Sequence, residues 1–247
     1  GGRKILDDIN LNINFGENVA LIGPNGSGKS TFIKLITSAI YPSYTGDSTV
    51  CKLFGGSRWN ISDLRSMLGI VTNELQYDFH NEITGFEAVV SGFFSSIGLF
   101  TNHKVNAQMK KKALAMIDFL EVSHLKDKKL ETMSSGEARR FLIARALVNK
   151  PQVLILDEPS NSLDIASAAK FHKTLRKIVS QKTNIVLVTH IVSDIIPEID
   201  RFILFKDGKI FSDGSRREIF TSERFSQLFD MKLELCQNNA IAYLKEV

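Results

Sequence analysis

Val19-Ala20-Leu21-Ile22-Gly23-Pro24-Asn25-Gly26-Ser27-Gly28-Lys29-Ser30-Thr31 is the stretch that decides the fold. A short apolar run stopped by glycine suits a strand buried on both faces of a parallel sheet. Residues 23–30 satisfy the pattern G-x-x-x-x-G-K-[ST]. Glycines let the backbone wrap closely around phosphate oxygens. Successive N–H groups, and the N-terminus of a helix that follows, add partial positive charge. Lys29 is the group that reaches the β- and γ-phosphates, and the Ser30 hydroxyl is a ligand for Mg²⁺. After Gly28, the residues Phe32, Ile33, Leu35, Ile36 and Ile40 recur at helical spacing until Tyr41-Pro42-Ser43 ends the run. An accidental Gly-rich turn would not need a buried strand before it and an amphipathic helix after it.

Upstream, Ile9, Leu11, Ile13 and Phe15 alternate with Asn10, Asn12 and Asn14, which predicts a half-buried strand of antiparallel type. Downstream, residues 49–54 read as a strand. Residues 61–64 read as a short helix with Ser62 or Asp63 as its cap, and residues 68–72 as another strand. Residues 82–133 are rich in Phe and Lys, with helical periodicity over 107–120, and are expected to form a helical subdomain inserted into the core. Two β-branched runs, 153–156 and 185–188, flank an amphipathic helix over 166–179, which makes a βαβ unit and hence a parallel sheet. Phe202 to Phe205, Asp207-Gly208 and Lys209 to Phe211 read as a hairpin, and residues 216–229 as a last helix. The expected fold class is α/β with a phosphate loop: a mixed, mainly parallel sheet, an antiparallel β part and the helical insertion, all in a single domain over 1–247.

The first apolar run of the βαβ unit ends in Asp157-Glu158-Pro159. Ligands of open α/β sheets bind at the carboxyl ends of strands. Asp157 is placed to hold Mg²⁺ and Glu158 to act as general base for the attacking water. A strand that merely stops at polar residues is the competing reading, and the phosphate loop weighs against it. His190 ends the next apolar run; on a strand expected beside that of Asp157, it becomes a candidate γ-phosphate contact rather than only a half-buried histidine.

Composition sets limits. The net charge of +4 over 247 residues is small, and the lysine runs at 110–112 and 126–129 read as solvated helix faces rather than a nucleic-acid patch. Cys51 and Cys236 have neither metal-type spacing nor a disulfide framework. The greasiest stretch, 83–100, is broken by Gly85, Glu87, Gly92 and serines, so no membrane span is expected. The chain opens on Gly1 rather than Met, which points to an incomplete N-terminus.

Met133-Ser134-Ser135-Gly136-Glu137-Ala138-Arg139-Arg140 precedes the acidic strand. Ser134 with Glu137 three residues on predicts a capping box at a helix start. A helix opening on Ser, Ser and Gly also presents N–H groups to an anion. The segment resembles the signature of ATP-binding cassette (ABC) ATPases, usually written LSGGQ. Together with residues 23–31, 153–159, Ser160-Asn161-Ser162-Leu163-Asp164 and His190, it resembles the ATPase subunit of ABC transporters over nearly the whole chain.

That resemblance implies a Mg²⁺-dependent ATPase whose two copies close head to tail over two ATP molecules. Gly23, Pro24, Asn25, Gly26, Ser27, Gly28, Lys29, Ser30 and Thr31 would hold the nucleotide, and Ser134, Ser135 and Gly136 the partner's γ-phosphate. Asp164 would sit at the dimer seam. Glu158, His190 and Lys29 would be catalytic, and Ser30, Asp157 and Asn73 would serve Mg²⁺. Met133, Ser135 and Glu137 depart from the usual signature. Asn73 stands where a glutamine is usual, with Gln76 the alternative out of register. The aromatic residue that stacks on adenine in this family would lie upstream of Gly1. Residues 64–76, Phe93-Phe94 and 133–140 look most like the molybdate-type or photorepair-type branch. A bacterial importer is implied, its cargo molybdate or another metal or oxyanion, with the ATPase on the cytoplasmic face of the inner membrane through a membrane-spanning subunit. The aromatic cluster Phe86, Phe93, Phe94 and Phe100 would offer that subunit a docking surface, or else be plain subdomain core. The alternatives are a soluble, non-transport ABC ATPase acting on nucleic acid or ribosomes, and a regulatory module that barely hydrolyses ATP.

Overall fold

The computed structural model describes residues 4–41, 50–72, 75, 83–161, 163–238 and 241–247. In chain order, the strands are β1 (Val19–Ile22), β2 (Leu68–Val71), β3 (Val153–Asp157), β4 (Asn184–Thr189), β5 (Arg201–Lys206), β6 (Lys209–Ser215), β7 (Leu233–Asn238) and β8 (Ile241–Glu246). The helices are α1 (Lys29–Ile36), α2 (Ile61–Met67), α3 (Gly85–Ser91), α4 (Ala107–Phe119), α5 (Ser135–Leu147), α6 (Ile165–Ser180), α7 (Arg216–Ile219) and α8 (Ser222–Phe229). Two compact units result, one of residues 1–65 with 185–247 and one of residues 66–184.

In the first unit, β1 lies parallel to both β4 and β5, with Ile22 opposite Thr189 on one side and Leu204 on the other. Every residue of β1 is fully buried, as the unbroken apolar run predicts. β5 continues through Asp207 (φ 49°) and Gly208 (φ 75°) into antiparallel β6. Two successive positive φ angles make the tight hairpin turn that Asp-Gly favours. The sheet is therefore mixed, with a parallel core and an antiparallel edge. Phe32 of α1 packs on Phe205 at 5.4 Å between ring centroids.

Several boundaries differ from the expectation. Helix α1 stops at Ile36 rather than Ile40: the Thr37 hydroxyl donates to the Ile33 carbonyl at 2.8 Å, and Ser38 turns left-handed. Residues 9–14 keep the alternation in exposure, Phe15 breaks it by being exposed, and the stretch joins no ladder among the described residues. Their asparagines bond locally instead, Asn10 to Asp8 and Asn14 to Glu17, which offers the backbone an alternative to a strand. Of the strand expected over 49–54, residue 49 lies outside the described residues; in the rest Leu53 and Gly56 close a tight turn on each other, and the Trp59 indole donates to the Leu53 carbonyl at 2.8 Å. Ser62 and Asp63 fall inside α2 rather than capping it. The last helix is two: Thr221 accepts from the Arg224 N–H and starts α8 anew. The β7–β8 hairpin had no counterpart in the sequence reading.

In the second unit, β2 and β3 pair in parallel, Val71 opposite Leu156. Gly85 and Gly92 bring α3 and the turn after it against α5. A Cβ at Gly85 would stand 2.5 Å from the Phe141 ring, and one at Gly92 would stand 2.4 Å from the Arg145 carbonyl oxygen. Helices α3, α4 and short 3₁₀ turns at 92–94, 123–125 and 130–132 occupy most of the stretch expected to be helical. Helix α6 buries Phe171, Leu175 and Ile178, one apolar stripe at the helical period.

Candidate functional site: the phosphate loop, the acidic strand end and the serine-capped helix

In the first unit, the loop leaves β1 at Gly23 and enters α1 at Lys29. Gly26 (φ 79°) and Gly28 (φ 103°) hold left-handed backbone that L side chains adopt at a cost. Gly23 has no room for a side chain either, because a Cβ there would lie 2.2 Å from the Phe205 carbonyl oxygen. Lys29 is buried, and its ammonium donates to the carbonyls of Gly23 (2.7 Å) and Pro24 (3.0 Å). The loop thus coils around its own lysine, the kind of backbone nest that receives anions. The β5–β6 turn braces it, with the Gly208 N–H donating to the Ser27 carbonyl at 3.0 Å. Asn25, Gly26 and Ser30 are exposed and Thr31 is half-buried.

His190 follows the last residue of β4, whose register partner Ile22 immediately precedes Gly23. The histidine and the phosphate loop therefore leave adjacent parallel strands at the same, carboxyl end, where α/β sheets bind ligands. Thr189 donates to Asp194 Oδ2 at 2.8 Å within the unit's interior. The sequence reading missed this pair; its only trace was an acidic residue a few positions beyond the strand.

In the second unit, Asp157 is the last residue of β3, and the next residue, Glu158, is left-handed at φ 50°. A bulky residue in that conformation is held there by its surroundings at a cost of about 1–2 kcal/mol. Both carboxylates are half-buried. Ser134 caps α5 as predicted: its N–H donates to Glu137 Oε2 at 2.9 Å and its hydroxyl accepts from the Glu137 N–H. The Ser134 backbone bond, aided by its hydroxyl and by Lys128 and Arg140, holds the Glu137 carboxyl below the usual range. Asp164 caps α6, accepting from the Ser167 N–H at 2.7 Å and from its hydroxyl at 3.2 Å; these bonds lower its pKa. The two helix starts meet closely, since a Cβ on Gly136 would stand 3.0 Å from Ser167 Oγ. Between them is a cleft of about 80 Å³ whose lining includes Ser134, Gly136, Glu137, Arg139, Arg140 and Lys170. Three cationic side chains outnumber the Glu137 carboxylate in that lining, and with the helix N-termini the balance favours an anion.

The predicted residues thus fall into two sets: residues 23–31 and His190 in one unit; Ser134, Ser135, Gly136, Asp157, Glu158 and Asp164 in the other. Asn73, Gln76 and Ser162 lie outside the described residues. Among the described residues, no group of three or more His, Cys, Asp or Glu could hold a metal unaided. The hydroxyl of Ser30 and the carboxylate of Asp157 are hard oxygen donors. Few protein ligands, completed by nucleotide phosphates, are how Mg²⁺ is ordinarily held.

Residues 6–161 match the ABC transporter family. The uncharacterized ABC transporter ATP-binding protein YlmA of Bacillus subtilis is 32% identical over 245 residues, covering 98% of this chain and 92% of that protein. The ABC transporter ATP-binding protein ModF of Escherichia coli is 32% identical over 194 residues, covering 78% of this chain and 39% of that one. Among solved structures, the ATP-binding cassette MJ0796, in a dimeric post-hydrolysis state bound to ADP and Pi, superposes with a TM-score of 0.69 at 27% identity, covering 85% of this chain and 90% of that one. A glycine loop coiled on its lysine, carboxylates at a strand end, a serine-capped signature helix and these likenesses agree: the chain belongs to the ABC transporter family, as one of its ATP-hydrolysing ATP-binding cassettes.

Proposed function

We propose that this cassette is the nucleotide-binding subunit of an importer, two copies closing head to tail over two ATP molecules and driving a membrane-spanning partner. The observation that supports this most is the cationic cleft at Ser134 and Gly136, an anion-receptive helix start of the kind a second copy's nucleotide could fill. In this reading, the two units act as one nucleotide-binding domain, with residues 82–133 as its helical insertion. The backbone of residues 23–31 wraps the phosphates. Lys29 exchanges the carbonyls of Gly23 and Pro24 for β- and γ-phosphate oxygens. Ser30, Asp157 and Asn73 hold Mg²⁺, which when bound neutralises charge on those oxygens. Glu158 takes the proton of the attacking water, and His190 contacts the γ-phosphate. Ser134, Ser135 and Gly136 receive the γ-phosphate of the other copy, and Asp164 lies at the seam.

The membrane subunit would dock beside residues 94–103, where Phe94 stacks on His103 at 4.1 Å and Ile97 (49%) and Phe100 (57%) are exposed. Among the described residues no helix is long and apolar enough to cross a membrane. In this reading the partner supplies the span and holds the cassette at the cytoplasmic face. A molybdate-like oxyanion or a metal is the cargo class that the resemblance implies. The test is Glu158→Gln, followed by size-exclusion chromatography with light scattering. It should bind Mg-ATP, lose turnover at least 100-fold and shift from monomer to dimer only with ATP. Turnover at the wild-type rate would remove Glu158 as the base.

A further inference from the structure

We propose that Thr189 and Asp194 form a buried clasp that sets the position of His190, which makes both of them positioning residues for ATP hydrolysis. The proposal rests on the reading of His190 as a γ-phosphate contact. Thr189 is fully buried and Asp194 is 2% exposed. The Thr189 hydroxyl donates to Asp194 Oδ2 at 2.8 Å and accepts from the Ile191 N–H at 2.9 Å. The Asp194 N–H returns to the Ile191 carbonyl at 3.1 Å, closing the 3₁₀ turn Val192–Asp194. One hydroxyl therefore ties the residues on both sides of His190 to each other and to a carboxylate five residues on.

Each end of the clasp is anchored. Thr189 is fixed in the sheet opposite Ile22, the residue before Gly23. Strand β8 packs on the turn that carries Asp194. Burial of an acidic side chain is costly unless its polar atoms are hydrogen-bonded. A turn needing only closure has cheaper solutions. A hydrogen-bonded turn on both sides of the histidine holds the backbone that carries the imidazole, so that less order is lost when the γ-phosphate arrives.

The test compares Thr189→Val, which removes the hydroxyl at nearly constant volume, with Thr189→Ser, which keeps it. Thr189→Val should lower kcat at least tenfold, while KM for ATP and the Kd of a fluorescent ATP analogue stay within twofold. Thr189→Ser should recover most of the turnover. The ¹³C–¹H imidazole signal of His190, identified by its loss in His190→Ala, should move in Thr189→Val and keep its place in Thr189→Ser. Full kcat in Thr189→Val, or a lower kcat with an unmoved imidazole signal, overturns the proposal. If Thr189→Val does not fold, Asp194→Asn takes its place in the same measurements. Wild-type turnover in His190→Ala would overturn the reading of His190 itself. A moved imidazole signal in Thr189→Val tells that failure apart from failure of the clasp.

Discussion

Replacing Gly208 by alanine should damage both stability and nucleotide binding, and Gly55→Ala is its control. Both glycines are left-handed, at φ 75° and 78°. At Gly55 an added Cβ meets nothing within 4 Å, so only the backbone conformation is penalised, by about 1 kcal/mol. At Gly208 the same atom would stand 2.2 Å from the Ile5 carbonyl oxygen, well inside the 3.4 Å where ordinary contact begins. The colliding group is backbone, and the Asp7 N–H beside it bonds the Gly208 carbonyl at 2.8 Å, so relief requires moving the chain. Overpacking of this kind adds about 1–3 kcal/mol. The total of about 2–4 kcal/mol corresponds to a fall in Tm of roughly 4–16 °C for a chain of this size, against roughly 2–4 °C for Gly55→Ala. Because the Gly208 N–H holds the Ser27 carbonyl, the displaced turn should also weaken ATP binding several-fold, while Gly55→Ala should not. Thermal melts by circular dichroism and titration with a fluorescent ATP analogue measure both effects. Equal Tm shifts in the two variants, or unchanged ATP affinity in Gly208→Ala, would refute the bracing argument.

Lys29→Ala should abolish ATP binding in the same titration, because it removes the cation around which residues 23–29 coil; affinity within threefold of wild type would contradict this. Thr84→Ala breaks the capping box that starts α3 and should cost about 1 kcal/mol in denaturant melts without changing the Kd for ATP. Glu137 and Asp164 both have carboxyls held below the usual range by capping bonds. A depressed acid stabilises the fold above its unfolded pKa and loses that contribution as pH falls through the lower, folded value. Stability should therefore decline below about pH 4, and Glu137→Gln should show less of that decline. An identical acid limb in Glu137→Gln would count against the capping account.

What the sequence disclosed follows the distribution of local physical signals. The run Val19 to Ile22 and the glycines after it impose burial and backbone geometry that little else satisfies, so strand, loop and helix could be placed from them. The capping box at Ser134 was equally legible, since its two residues lie within one turn. Residues 9–14 carried a true alternation in exposure, but a strand also needs a ladder partner, which alternation does not report. Helicity over 216–229 was right in kind and wrong in continuity: Thr221 can serve as a helix interior or as a cap, and tertiary contacts choose. Strands β7 and β8 had a weak signal in Leu233 and Leu235, Ala242 and Leu244, with Asn238-Asn239 between them. The Thr189–Asp194 bond left only an acidic residue beyond the strand as its trace, because a threonine and an aspartate five residues apart pair only when a strand end and a 3₁₀ turn fold them together.

The left-handed backbone at Glu158 sets heat resistance against chemistry. Glycine or asparagine would sit at φ 50° with less strain, so either replacement should make the chain harder to melt. A library screened for thermal survival alone would enrich such replacements at position 158, and, with Glu158 as the proposed base, its most robust members would bind ATP without turning it over. Engineers hardening this cassette would need turnover, rather than melting, as the trait under selection.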